Sequence, residues 1–521
     1  MKKTIILSLL VLFSLSSALF AGDWISSQVT FKFSDDNIFE TSRRSNSARF
    51  GDTNTRLFNE NLNTYKTGDE TESQLVVYKK FAGFIEGLTT ETAFVFNLSV
   101  FNNETGDLLT KFKEDGSYVR IEYGNKNNKF SILAFPYNSD RFLLGWTYDL
   151  SWGGQSMWPK SKINKKTPVP GVKFDWNSKM AGAFLGFKTR PFNTNLIEEG
   201  SDGLETKDTI STTWGILAGA HIDIAESIRF DIHSGLFDKG TNPLQSQDDM
   251  DLDKENVFGT RIYAKGVSGR IAYRQNASLE VSDVMKVYRN ADPRNDLNDI
   301  VNQDKPKKVQ TGFGYVISME GVFLTESLRD ADARDYLTDF NGWAGDFKIK
   351  LLLKDIKINM DFIMRNPQFL LFNVPGLTAF ESISNEHAEL ENEMLFSLGG
   401  DYEATEHLTL GFLFGYKLPA SYKGEDSDSV IVIKDREDQS SFTGGLTKNK
   451  VRLPSGEKAK PILALKFSTF YELSKGTEVS GEVSYLRDEN DSTVNDEGDR
   501  VLRTKSETNK LGFAIYIRSR F

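Results

Sequence analysis

"LGFAIYIRSRF", residues Leu511–Phe521, closes the chain. Leu511, Phe513, Ile515, Ile517 and Phe521 keep to one side of a two-residue period, and Lys510, Tyr516, Arg518 and Arg520 keep to the other. Strict alternation is the pattern of a strand with one apolar and one polar face. A terminus frays unless something ties it down. A chain that ends on its most regular strand therefore implies a partner strand for that end.

The opposite end reads "MKKTIILSLLVLFSLSSALFAG": Lys2 and Lys3, an apolar run, then small residues. This is the layout of a secretory signal peptide, residues 1–21, cleaved after Ala21 or after Ala18. The remainder, 22–521, reads as one unit, because alternating segments recur from Trp24 to Phe521 without a Pro- or Ser-rich linker. Beyond the leader, no stretch approaches the ~18 apolar residues of a spanning helix.

The chain has no cysteine, which excludes disulfides, thiolate chemistry and a lipid anchor on an amino-terminal cysteine. Its four histidines, His221, His233, His387 and His407, are scattered without metal-ligand spacing, so no metal and no cofactor are expected. The formal charge of −10 argues against nucleic acid, whose phosphates call for a basic surface. With 13 prolines against 39 phenylalanines, the composition suits a large sheet. Proline cannot donate to a central ladder, while aromatics pack well on a pleated surface.

Pairs of alternating segments meet at short turns. In "GDFKIKLLLKDIKINMDFIM", Phe347, Ile349 and Leu351 alternate with Lys348 and Lys350. After Lys354-Asp355, Ile356, Ile358, Met360 and Phe362 alternate with Lys357, Asn359 and Asp361, which predicts a hairpin. Further short turns are predicted at Gly87, 124–128, Asn177-Ser178, Ala225–Ser227, Val267-Ser268, Thr405 and Ser474–Gly476. Between the hairpins lie long polar connections at 34–73, 136–170, 238–255, 366–391, 417–460 and 488–507. Regular alternation of short and long links fits a transmembrane barrel, with short periplasmic turns and long extracellular loops. Between 277 and 342 the up-and-down count is off by one strand. The reading gives 19 candidates; an even number is required, so about 18 (16–20) are expected.

A terminal Phe on an alternating last strand, behind a signal peptide, resembles the carboxy-terminal assembly signal of Gram-negative outer-membrane β-barrels. Phe521, Ile517, Ile515 and Phe513 match that pattern and Ser519 departs from it. The resemblance implies an all-β fold, a closed antiparallel transmembrane β-barrel of the bacterial outer membrane. It also implies outer-membrane lipids, lipopolysaccharide and, during biogenesis, the barrel-assembly machinery as partners. Closure removes edges whose unsatisfied groups cost several kcal/mol each in hydrocarbon, so the first and last strands are expected to pair.

The polar faces carry the functional reading. Arg120, Lys173, Arg229, Lys348, Lys350, Lys357, Lys466 and Arg518, joined by Lys32, Lys510 and Arg520, lie on them with Glu122, Asp175, Asp231, Asp361, Glu478 and Glu482. Eleven bases against six acids in an acidic chain predict a net-basic lumen for small hydrophilic or anionic solutes. The same pairs could equally brace the wall as salt bridges.

One long connection, 136–170, is rich in aromatics and cations: Arg141, Trp146, Tyr148, Asp149, Trp152, Trp158, Lys160, Lys162, Lys165 and Lys166. Aromatics this dense need a surface to pack on. The resemblance to general porins suggests an inward-folded constriction, with sugar stacking or anion attraction open to it. An extra strand through Trp146, Tyr148, Leu150 and Trp152 reads equally well.

No catalytic constellation stands out, and no "G-x-S-x-G" occurs. "DENDSTVNDEGD" has Thr493 and Asp499 where an EF-hand needs Gly and Glu. The expectation is a passive outer-membrane porin with a weak anion preference. The alternatives are a sugar- or polyuronate-specific channel and a structural or surface-recognition barrel. The sequence does not indicate an oligomeric state.

Overall fold

A computed structural model describes residues 26–35, 70–102, 108–114, 116–125, 127–139, 142–154, 170–200, 203–241, 260–277, 313–330, 337–372, 390–423, 429–432, 450–453, 457–474, 476–490, 492–494, 500–502 and 509–520. Residues 1–21, where a signal peptide is expected, and Phe521 lie outside them.

Nineteen segments form one antiparallel sheet. The first seven are β1 (Ser26–Asp35), β2 (Glu70–Ala82), β3 (Leu88–Asn102), β4 (Leu108–Glu114), β5 (Tyr118–Gly124), β6 (Asn128–Phe135) and β7 (Gly171–Ser178). The next seven are β8 (Ala181–Gly200), β9 (Gly203–Ala225), β10 (Ile228–Thr241), β11 (Arg261–Gln275), β12 (Phe313–Arg329), β13 (Leu337–Leu353) and β14 (Ile356–Arg365). Glu393–Glu403, Leu408–Leu418, Ile462–Ser474, Thr477–Arg487 and Asn509–Arg520 complete it.

Each segment pairs with its neighbours along the chain, with two exceptions. β4 and β5 both pair with β3, over Phe96–Asn102 and Leu88–Ala93 respectively. β1 pairs on one side with β2, from Ser26↔Tyr78 to Ser34↔Glu70, and on the other with the last strand, from Gln28↔Arg520 to Asp35↔Phe513. The alternating carboxy-terminal strand thus meets the first strand.

The two-residue link Lys354-Asp355 joins β13 to β14 as the alternation predicts, with Leu353↔Ile356 as the closing pair. The Asn177-Ser178 turn sits slightly later, at Lys179-Met180, because β7 runs through Ser178. The hairpin at Val267-Ser268 is corrected. β11 is one continuous strand through these residues, with Val267 opposite both Ser234 of β10 and Phe323 of β12. A flanking strand on each side satisfies its backbone without a turn. β11 ends at Gln275 and β12 begins at Phe313, at the end of the sheet where the other links are short.

Register divides the sheet into two faces. On the bare face Ile121, Phe130, Phe174, Ile232, Ile271, Phe347, Phe467 and Ile515 are exposed. The other face is covered, and both apolar cores lie against it. The larger includes Tyr78, Leu133, Leu217, Phe237, Val322 and Ile363 together with Phe142, Leu144, Leu150 and Trp152 from the 136–170 connection. The smaller gathers Ile262, Leu328, Ala420 and Tyr422 around the helix α1 (Pro367–Phe372). Other parts of the long links form a second sheet of six short strands. Within it, Ser492–Val494 pairs with Arg500–Leu502, so the acidic stretch 488–507 contains a hairpin.

Candidate functional site

The covered face carries the charges. Arg120 meets Glu122 at 2.7 Å, and Lys129 meets the same carboxylate at 3.0 Å. Lys173 and Asp175 pair at 2.6 Å, and Lys173 Nζ lies 4.6 Å from the centre of the Phe184 ring. Arg229 donates from Nε and Nη2 to Asp223 at 2.8 and 2.5 Å. Arg270 holds Asp231 at 2.8 Å. Lys348 stands between Asp346 and Asp361, at 3.8 and 4.0 Å. Lys466 meets Glu482 at 3.4 Å.

Lys350, opposite Asn359, and Lys357, opposite Asp401, share that face by register. Arg518 holds a place on it opposite Glu478 and Thr30. The alternation therefore assigned all twelve predicted positions to one face.

The charge balance differs from the expected eleven to six. Glu91, Asp223, Glu320, Glu326, Asp346, Glu393 and Asp401 also sit on the covered face and are buried. Lys188, Lys239, Arg365 and Lys417 are buried bases on the same face, so the charges there are mixed, and many of the bases lie beside carboxylates.

Residues Phe142–Gly154 lie across the covered face of β8–β14. Tyr148–Leu150 is a single 3₁₀ turn, and Leu144 and Trp152 form an isolated antiparallel bridge. The extra-strand reading is therefore corrected: this segment pairs with itself and not with the wall. Gly145 and Gly153 take positive φ values of 98° and 88°, which a side chain would disfavour at both bends.

The seat is built from side chains of six strands. Lys188 Nζ donates to the Phe142 carbonyl at 2.9 Å. Gly145 N–H donates to His233 Nδ1 at 3.1 Å, and the Trp146 ring stacks on that imidazole at 3.9 Å. The Arg270 guanidinium lies 5.0 Å from the Trp146 ring centre. Glu320 accepts the N–H groups of Trp146 and Thr147 at 3.0 and 2.7 Å, so one buried carboxylate caps the start of the turn. Thr147 Oγ1 donates to Asp346 at 2.6 Å, and Trp152 Nε1 donates to Ser268 at 2.6 Å. Arg365 donates from Nη1 to the carbonyl and carboxylate of Asp149 at 2.9 and 3.1 Å, and also binds Glu393, which in turn meets Lys417 at 2.7 Å.

Glycines make room for this insert. A Cβ at Gly186 would stand 2.1 Å from the Phe142 ring, one at Gly235 2.8 Å from Leu144, and one at Gly266 2.8 Å from Trp152. Trp146 and Trp152 are both buried, so neither offers a ring face for stacking a sugar. The backbone of Tyr148 belongs to the 3₁₀ turn, while Arg141, Lys160 and Lys162 lie outside the described residues. His233, Ser268, Glu320 and Arg365 are functional candidates that sequence reading missed. The readable signal was glycine at 186, 235 and 266 on an otherwise charged face.

No family model matches the chain, and no curated protein matches it. Solved structures do resemble it. A BenF-like porin from Pseudomonas fluorescens Pf-5 aligns over 96% of this chain and 98% of its own, at 8% identity and a TM-score of 0.44. The outer membrane protein OpdK of Pseudomonas aeruginosa aligns over 95% and 98%, at 7% identity and a TM-score of 0.43. OccAB1 of Acinetobacter baumannii aligns over 95% and 96%, at 8% identity and a TM-score of 0.43.

Proposed function

We propose that the protein is an outer-membrane β-barrel channel, a porin that passes small hydrophilic solutes without a cofactor and without catalysis. One observation carries the reading: β1 pairs with both β2 and the last strand while the wall's charged side chains gather on one face and its exposed apolar ones on the other. A ladder that returns to its first strand has no edge, the condition for a sheet in hydrocarbon. β4 and β5 both pair with β3, which supports counting them as one wall strand and a barrel of about eighteen. The covered face is then the lumen, with Arg120, Glu122, Lys173, Asp175, Arg229, Asp231, Lys348, Lys350, Lys357, Asp361, Lys466 and Arg518 lining it. Residues Phe142–Gly154 form the constriction.

The anion preference is weak, because many of the bases that bring positive charge to the lumen lie beside a carboxylate on the same or an adjacent strand. Planar-bilayer recordings of the purified protein test the reading. Steady single channels are expected, with a small anion bias that shrinks as salt rises toward ~1 M, where the Debye length is about 3 Å. A sealed, non-conducting protein correctly inserted in the bilayer would leave the surface-recognition alternative. A cation preference that survives trimming of the acid-rich connections 238–255 and 488–507 would refute the lumen assignment.

Phe521 is the proposed assembly signal, recognised by the barrel-assembly machinery. Deleting it lowers the amount of protein reaching the outer membrane, while the deleted chain refolded in vitro keeps its stability. Normal surface abundance of the deletion in cells would sink the assignment. Lipopolysaccharide is the expected neighbour at the long-loop end, and solutes meet the chain only in passage.

A further inference from the structure

On the bare face of β9–β12 a groove of ≈ 460 Å³ opens in the wall. Ile216, Leu236, Val267 and Phe323 are its exposed apolar sides, Ser234 lies in its floor, and Lys265 stands over it. Register sets the level of each. Ile216, Leu236, Lys265, Thr325 and Asn341 form one row across five strands. The next row toward the short turns is Ala218, Ser234, Val267, Phe323 and Trp343.

The row after that includes Gly269, Gly321 and Gly345, side by side, and a Cβ at Gly269 or Gly321 would meet nothing within 4 Å. Toward the long links the bare face turns polar, with Thr325 donating to Asn341 at 3.0 Å and Ser327 to Asp339 at 2.5 Å. Lys265 therefore marks the boundary between apolar and polar wall, flanked by Tyr263 and Trp214, whose rings lie 6.2 Å apart. Aromatics at such a boundary belong to the interfacial girdle of a membrane protein.

Two features exceed an ordinary interfacial lysine whose head reaches up to water. Among the described residues Lys265 has no ion-pair or hydrogen-bond partner. Below it the wall is hollowed by small residues where its neighbours carry large apolar ones. A cation at the rim of an apolar slot calls for an amphiphile with an anionic head and a hydrocarbon chain. Lys265 lies on the long-link side of the Ser234 row, and in the membrane proposed above the leaflet at that end is built of lipopolysaccharide.

We propose that this groove binds the phosphorylated, acylated anchor of lipopolysaccharide, with one phosphate on Lys265 and one acyl chain over Ser234 toward the glycine row. The proposal rests on the outer-membrane reading. It is tested by native mass spectrometry of the full-length protein, refolded in detergent and titrated with short-chain lipopolysaccharide, phosphatidylglycerol or phosphatidylcholine.

Lipopolysaccharide is expected to bind most tightly. Lys265→Gln should weaken it roughly fivefold, the effect of one basic side chain at a charged lipid surface. Lys265→Arg should restore it, and Ser234→Leu, which fills the floor, should weaken it with the charge intact. Equal binding of phosphatidylglycerol, unchanged binding in Lys265→Gln, or a dimer that disappears in Ser234→Leu would each overturn the proposal. A chain that folds and conducts but binds no lipopolysaccharide removes only this site. A chain that never inserts into membranes removes the reading beneath it.

Discussion

The wall from β8 to β14 and the wall from Glu393 to Arg520 share the same alternation and the same apolar bare face, yet their covered faces differ. In the first, Gly186, Gly235 and Gly266 stand beside Leu217, Phe237 and Val322, and an inserted loop lies on them. In the second, Ser397, Asp401, Ser468, Glu482 and Lys510 are buried polar residues, and Glu482 meets Lys466 at 3.4 Å. Alternation specifies the apolar bare side of a strand. What the inner side meets is specified by side-chain volume, and glycine appears where a neighbour needs the space.

Arg365 sits at the seam of the two regions and offers the sharpest way to break the distinction. Its guanidinium joins Asp149 of the loop to Glu393 of the second region, and it is 2% exposed. Arg365→Met leaves those carboxylates buried with only Lys417 to balance them. The expected loss is about 3–5 kcal/mol, typical of removing one partner from a buried pair. Lys129→Gln, from an ion pair whose lysine is 49% exposed, should cost less than about 1 kcal/mol. Reversible unfolding in lipid vesicles reads both. A small cost at Arg365 would mean that the loop is not pinned to the second region.

How far these features could be read from residues alone follows the same division. Leu511–Arg520 and Phe347–Phe362 declare their strands, because one apolar face and one charged face impose a period of two over many residues. β11 was misread as a hairpin since "AKGVSGRIA" contains turn-forming residues. Those glycines and serines instead serve the packing of Trp152 and the hollow of the bare face. The loop's inward course was one of two open readings. Its anchors could not be seen, because Glu320 and Arg365 lie more than 170 and 200 residues away in sequence. Partnership across that span is decided by register and not by any local pattern.

An effect smaller than that at Arg365 is also the most discriminating, because it compares two glycines three residues apart on β11. An ideal Cβ at Gly266 would stand 2.5 Å from Leu324 Cδ2, 2.8 Å from the Phe323 carbonyl oxygen and 2.8 Å from Trp152 Cη2. The carbonyl belongs to a paired strand and cannot withdraw. Trp152 is 1% exposed and held through Nε1 by Ser268, so its ring cannot swing aside without losing that bond. Gly266→Val should therefore cost about 1–3 kcal/mol by overpacking. It should also lift the Trp152 end of the loop, raising channel conductance if that loop is the constriction. At Gly269 an added Cβ meets nothing within 4 Å, so Gly269→Ala should stay within about 0.5 kcal/mol of the parent and leave conductance unchanged. Equal costs at the two positions, measured by unfolding in lipid, would mean that Trp152 is not seated on the wall. A cost at Gly266 without a change in conductance would keep the seat and remove the constriction.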